Sequence, residues 1–193
     1  LTYVHSVNVA LIASILGQWL KFSEKDIRIL TISGLLHDIG KIMIPNEILT
    51  KPGKLTVAEY NIMKQHVNFG YEKVKNQNID IRIKEACLLH HEKCDGTGYP
   101  FGLKSDHIPA VAKIIAIADV YDAMTSARVY RGALCPFEVI DTMYKDAFTK
   151  FEPEYILPFL KNVASSYINN DVRLSDGRIG KVVLINENAP VSY

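Results

Sequence analysis

The sequence predicts an all-α helical bundle closed by a small C-terminal β-hairpin. Three observations carry this. Apolar residues recur at helical spacing over about residues 1–168, helix-start signals punctuate them, and from about residue 171 the period changes to alternation.

Tyr3, Val7, Ala10, Leu11 and Ile15 share one helical face, which predicts an opening helix stopped near Gly17–Lys21. Ser23 with Asp26 three residues on resembles a capping box and starts a helix running to about Asp38. Gly40 and Pro45 then force a loop. Thr56 and Glu59 form a second capping box, for a helix through His66 to about Lys75. Another helix is expected over Ile81 to His91. Asp95, Gly96, Gly98, Pro100 and Gly102 crowd the following stretch, so residues 92–108 form a loop of specified shape. A long apolar helix follows over Pro109–Met124, with Pro tolerated in its first turn. Two more are expected over Pro136–Lys150 and Pro153–Ile168. In the tail, Val172 and Leu174 alternate, Asp176-Gly177 turns, and Lys181–Ile185 reads as the second strand.

The 193 residues, 48% apolar and 22% charged, suit one ordinary domain with a core of its own and exclude disorder. A formal net charge of +1 argues against coating long nucleic acid, which calls for a basic excess. The three cysteines, Cys87, Cys94 and Cys135, include no CxxC pair, so neither a disulfide framework nor a thiolate zinc site fits, and a reducing cytoplasm is the expected compartment. Val9–Gly17 is too short to span a bilayer, and no membrane contact is expected of this segment. The first residue is Leu1, so the chain reads as part of a longer protein.

Six histidines stand out, most of them in unusual company. His37-Asp38 closes an apolar helix before a tight loop. His90-His91 closes another after Ala86-Cys-Leu-Leu89, and Asp119 lies inside the apolar run Ile114-Ile-Ala-Ile-Ala-Asp119. Imidazole and carboxylate at apolar helix ends are costly without partners, and a metal ion would satisfy both. Taken alone, a histidine at a helix end is more often a cap or a satisfied surface group, and a mid-helix aspartate could pair with a nearby Arg or Lys. The joint occurrence points to a shared site.

His37-Asp38-Ile-Gly-Lys41, His90-His91-Glu92 and Asp95-Gly-Thr-Gly98-Tyr99-Pro100 together resemble the HD-GYP domain, a branch of the HD metal-dependent phosphohydrolases. Ile44-Pro45, Lys51-Pro-Gly-Lys-Leu-Thr56, Asp119-Val-Tyr-Asp-Ala-Met-Thr125 and Arg128-Val-Tyr-Arg131 extend the likeness, which covers nearly all of residues 1–193 as one domain, with the helical core at about 1–168 and the hairpin at about 171–187. The resemblance implies a phosphodiesterase acting on cyclic di-GMP to give pGpG or GMP, through a hydroxide bridging the metals. It implies His5, His37, Asp38, His66, His90, His91 and Asp119 as metal ligands, with Asp38 bridging two ions. His5 and His66 rest on the resemblance alone, and His107 is left outside the cluster.

Members with three metals carry a Glu four residues before the first ligand histidine. Leu1 stands there and cannot coordinate, so two divalent ions are expected rather than three. Lys93 and Cys94 replace the usual Arg and aromatic beside the paired histidines, which bears on the cleft wall rather than on a ligand. A ligand set without thiolate suits Fe, Mn, Zn, Co or Ni, and the resemblance favours iron or manganese. Two such ions roughly 3.5–4 Å apart can activate water and hold the phosphate oxygens. With Asp38 and Asp119 they leave a local charge of about +2 that attracts a diester.

Lys41 is the candidate to contact the phosphate or leaving oxygen. Arg128 and Arg131, spaced i, i+3, could grip the diester from one helical turn. Gly98, Tyr99 and Pro100 are expected to line the substrate pocket. Signalling proteins of this kind imply an upstream sensory domain, GGDEF-type partners and dimers. Two alternatives stand beside this reading: a phosphodiesterase for another cyclic dinucleotide such as cyclic GMP-AMP, and a signalling module that binds nucleotide or protein without turnover.

Overall fold

A computed structural model describes residues 2–126, 134–173 and 176–184. Its helices are α1 (Thr2–Trp19), α2 (Glu24–Leu36), α3 (Asn46–Leu49), α4 (Val57–Met63), α5 (His66–Val74), α6 (Ile81–Leu89), α7 (Ala110–Thr125), α8 (Pro136–Asp146) and α9 (Pro153–Ser165), followed by an antiparallel pair, β1 (Asp171–Arg173) and β2 (Ile179–Lys181). The expected helical bundle with a C-terminal hairpin is what the chain adopts.

Capping explains where helices start. Ser23 Oγ accepts the Asp26 N–H, and Thr56 with Glu59 forms the full reciprocal box. Helix α1 ends with Lys21 in the left-handed region, where the Phe22 N–H returns to the Gly17 carbonyl.

Four expectations need correction. The helix expected from Thr56 to Lys75 is broken in two: after α4 the chain turns at Lys64 and Gln65, and α5 begins at His66. Hydrophobic spacing continues across the break and conceals it. The loop after Asp38 is wound instead into a 3₁₀ turn, Ile39–Met43, followed by the short α3. Helices α8 and α9 end about four and three residues before Lys150 and Ile168, in turns. The second strand, expected over Lys181–Ile185, is Ile179–Lys181; residues 182–184 are not strand, and Ile185 lies outside the described residues. The turn at Asp176-Gly177 sets the register, pairing Asp171 with Lys181.

The central element is α7, which packs against α1, α2, α6, α8 and α9. Its Ile114, Ile115 and Ile117 are fully buried with Leu16 of α1, Leu30 of α2 and Phe159 of α9. Each such side chain contributes roughly 1.5–3 kcal/mol on burial. This packing fixes one end of α1, α2, α6 and α7 together, and the histidine and aspartate residues occupy that end. Among the described residues no helix is long and apolar enough to cross a membrane.

Candidate metal centre

Six elements deliver the site. His5 comes from α1, His37 caps α2, Asp38 opens the 3₁₀ turn, His66 starts α5, His90 caps α6 with His91 next, and Asp119 lies on α7. All seven expected ligands are brought together, in two groups: Asp38, His66, His90 and His91; and His5, His37 and Asp119. Within each group one ligand atom per residue lies within 4.8 Å of the others. His107 stays outside, exposed and paired with Asp106.

The ring orientations are fixed from behind. His37 Nδ1 donates to the Gly34 carbonyl at 2.7 Å, His66 Nδ1 to Met63 at 2.7 Å, and His90 Nδ1 to Ala86 at 2.9 Å. A carbonyl can only accept, so each neutral ring keeps its lone pair on Nε2, facing inward. His66 Nε2 and His90 Nε2 then face each other at 3.4 Å. Asp38 Oδ1 stands 3.3 Å from the first and 3.8 Å from the second. Two lone pairs and a carboxylate oxygen converge without a donor. His37 Nε2 and Asp38 Oδ1 are buried and make no hydrogen bond.

Electrostatics agree with this arrangement. Burial holds the imidazolium pKa of His66 below its ordinary value and that of His90 well below it, and lowers His91 to about 4. All three rings are therefore neutral at neutral pH. Burial alone would raise the Asp38 carboxyl, but His37, Lys41 and His90 hold it well below the usual carboxylate range. Asp119 is likewise kept low, against the cost of burial, by the hydrogen bond from His5 and by His91 and His37. Ionised carboxylates among neutral imidazoles form a donor set for a divalent transition metal. Buried lone pairs that face one another with no proton between them call for a cation, so the residues present fit the metal.

Asp38 presents its two oxygens to different groups. Oδ1 faces His66 and His90, whereas Oδ2 lies 3.3 Å from His37 Nε2 and 3.7 Å from His5 Nε2. The one carboxylate thus faces both groups of side chains. Lys41, half-buried, bonds Oδ2 from the edge of the cluster.

Several contributors were not expected. Asp122, one turn beyond Asp119, accepts the His5 Nδ1–H at 2.6 Å and is itself held by Asn8 at 2.8 Å and Ser126 at 2.8 Å. Two aspartates at i, i+3 on an otherwise apolar helix were its signal. Buried Glu92 accepts the backbone N–H groups of Phe101 and Leu103, pinning the loop to the end of α6. Gly40 lies against α5: a Cβ there would stand 1.9 Å from the His66 carbonyl oxygen and 2.4 Å from the Gly70 nitrogen.

The loop brings Tyr99 to the centre. Its ring stacks on His91, centroids 4.7 Å apart, and its N–H donates to the His91 carbonyl. Gly98 lets the chain fold back on residues 91–93, since a Cβ would meet the Lys93 nitrogen at 2.4 Å. Pro100 follows through a cis peptide. Cys94 donates its N–H to the Lys150 carbonyl, so it ties the loop to the bundle. Leu1, Arg128 and Arg131 lie outside the described residues.

A family model described as "HD domain" matches residues 3–155. The chain belongs to the HD domain family. Among curated relatives, it is 38% identical over 183 residues to a cyclic di-GMP phosphodiesterase of Pseudomonas aeruginosa, covering 94% of this chain and 44% of that one. It is 40% identical over 145 residues to 3′3′-cGAMP-specific phosphodiesterase 1 of Vibrio cholerae, covering 74% of this chain and 33% of that one. The chain thus spans less than half the length of either relative. Among solved structures, it resembles Bd1817, described as an HDG"Y"P protein from Bdellovibrio bacteriovorus. The TM-score is 0.70 at 22% identity, covering 84% of this chain and 52% of that one, a likeness of fold.

Proposed function

We propose that this HD domain is of the HD-GYP type and is a metal-dependent phosphodiesterase that opens cyclic di-GMP to pGpG, with GMP as the product of a second cut. The observation that carries this reading is the meeting of His66 Nε2 and His90 Nε2 at 3.4 Å beside ionised Asp38, with no proton donor between them. The substrate is supported by the cyclic di-GMP phosphodiesterase of Pseudomonas aeruginosa, whose match runs along 94% of this chain.

Asp38, His66, His90 and His91 would hold one ion, and His5, His37 and Asp119 the other, with Asp38 shared between them. We expect two divalent ions, iron or manganese before zinc, cobalt or nickel. When bound, such ions supply a Lewis acid for the phosphate oxygens and lower the pKa of an attacking water. The chain does the rest. Its carbonyl-fixed imidazoles need no reorientation to ligate, and Asp122 keeps His5 turned toward the centre. Hydrolysis adds the water oxygen to phosphorus, breaks one ester P–O bond and returns a proton to the departing ribose oxygen. Lys41 is the cation at the edge of the cluster and is assigned to that oxygen or to a phosphate oxygen. Tyr99, Gly98 and Pro100 wall the pocket, and Arg128 and Arg131 are assigned to the diester. The domain is proposed to work in the cytoplasm, in a longer signalling protein with an upstream sensory domain, GGDEF-type partners and dimer formation.

The cGAMP-specific relative supports 3′3′-cGAMP as the second candidate substrate. Metal analysis of anaerobically prepared protein is expected to give two ions per chain, and three would refute the two-ion assignment. Asp38→Ala, which removes the shared carboxylate, is expected to lose both ions and all turnover. Unimpaired turnover in that variant would overturn the site. Cyclic-dinucleotide binding without turnover under any divalent metal would support a non-catalytic module instead.

A further inference from the structure

Next to Tyr99, whose ring stacks on His91, stands a cation that the mechanism above does not use. Lys64, in the turn between α4 and α5, is half-buried, and its ammonium lies 5.2 Å from the ring centre of Tyr60 and 6.0 Å from that of Tyr99. Tyr60 is one helical turn earlier on α4, so that half of the contact is a local i, i+4 pair. Tyr99 arrives from a loop far along the chain and stacks on His91, which makes the other half a property of the site. The two tyrosines meet edge to face, 6.4 Å apart at 82°. Among the described residues no carboxylate pairs with Lys64. Aromatic faces hold an ammonium without neutralising it, so the positive charge is positioned and available. Lys41, by contrast, is bonded to Asp38.

A cyclic dinucleotide carries two phosphodiesters in one ring. Only one can sit over the metals at a time, and the other remains anionic at the edge of the pocket. We propose that Lys64, held over Tyr60 and Tyr99, receives this second phosphate and so selects cyclic dinucleotides over diesters with a single phosphate. The inference rests on the phosphodiesterase reading and specifies how that site reads its substrate. Lys64 makes its contact away from the reacting phosphorus, so the contact holds ground and transition states alike and enters KM rather than kcat.

The test compares cyclic di-GMP with bis(p-nitrophenyl) phosphate, a diester with one phosphate, using manganese-loaded wild type, Lys64→Met and Lys64→Arg. A charge-assisted contact at a half-exposed position is worth about tenfold. In Lys64→Met the ratio of the two kcat/KM values is expected to fall about tenfold toward the single-phosphate diester, through KM for cyclic di-GMP, and Lys64→Arg is expected to restore most of it. The slope of cyclic di-GMP KM against ionic strength is expected to flatten in Lys64→Met. Equal losses on both substrates, or no loss on either, would overturn the assignment while leaving the phosphodiesterase reading intact. A wild type that cleaves the single-phosphate diester and ignores every cyclic dinucleotide would refute the substrate reading and this inference with it.

Discussion

Gly40→Ala tests whether close backbone packing, rather than the ligands alone, builds the centre. The 3₁₀ turn carrying Asp38 lies directly on the start of α5, which carries His66. An added methyl would sit 1.9 Å from the His66 carbonyl oxygen and 2.4 Å from the Gly70 nitrogen, whereas tolerated Cβ contacts are at least 3.0 Å. Both obstacles are backbone, so the turn and the helix must separate by about 1 Å. Overpacking of this kind costs about 1–3 kcal/mol, and backbone obstacles place Gly40→Ala at the upper end. For a chain of this size, about 3 kcal/mol corresponds to a fall in Tm of roughly 6–12 °C. The same shift moves Asp38 Oδ1 from its position 3.3 Å from His66 Nε2, and an error of about 1 Å at reacting groups costs on the order of 100-fold in rate. Thermal melting followed by circular dichroism measures the first effect, and metal titration with turnover of the folded variant measures the second. A variant that keeps wild-type Tm and wild-type metal affinity would refute the packing argument.

Three further outcomes are expected. Asp122→Ala removes the group that orients His5 and should weaken metal binding about 10- to 100-fold while the variant stays folded, as read by calorimetric titration; unchanged affinity would show that Asp122 does not orient a ligand. Metal-free protein should lose stability as pH falls. His66, His90 and His91 have folded pKa values below the ordinary 6.5, so the unfolded chain binds protons that the folded one does not. The loss begins near pH 6.5 and extends to about 4, where His91 titrates, and a Tm that rises over this window would contradict it. His5 moves the other way: burial lowers its pKa, but Asp119 and Asp122 raise it above the ordinary value, so it opposes the trend in part. Chelation should lower Tm by several degrees, restored by adding back manganese, and Asp38→Ala should show no such difference.

Much of this was legible in the sequence because local chemistry marked it. Capping boxes placed the starts of α2 and α4, and the unusual company of His37-Asp38, His90-His91 and Asp119 marked a centre before any fold was known. What stayed hidden is non-local. His66 looks like one polar residue on a long helix. Only the break at Lys64 and Gln65 turns it inward, and Gly40 lying against its carbonyl fixes that position. Asp122 and Glu92 were in plain view, but their partners lie 117 positions away in one case, and 9 and 11 in the other. No periodicity encodes such pairings. His5 rests on the resemblance alone, since it sits among exposed Tyr3 and Val4 on α1 and its partners Asp119 and Asp122 lie more than a hundred positions away.

The most direct measurement is turnover of a cyclic-dinucleotide panel by anaerobically prepared protein loaded in turn with iron, manganese, cobalt, nickel and zinc, with products identified by mass. The expected result is linear pGpG or GMP from cyclic di-GMP with iron or manganese, and none after chelation or in Asp38→Ala. The absence of linear product from every dinucleotide with every metal, in protein that holds two ions per chain, would contradict the account.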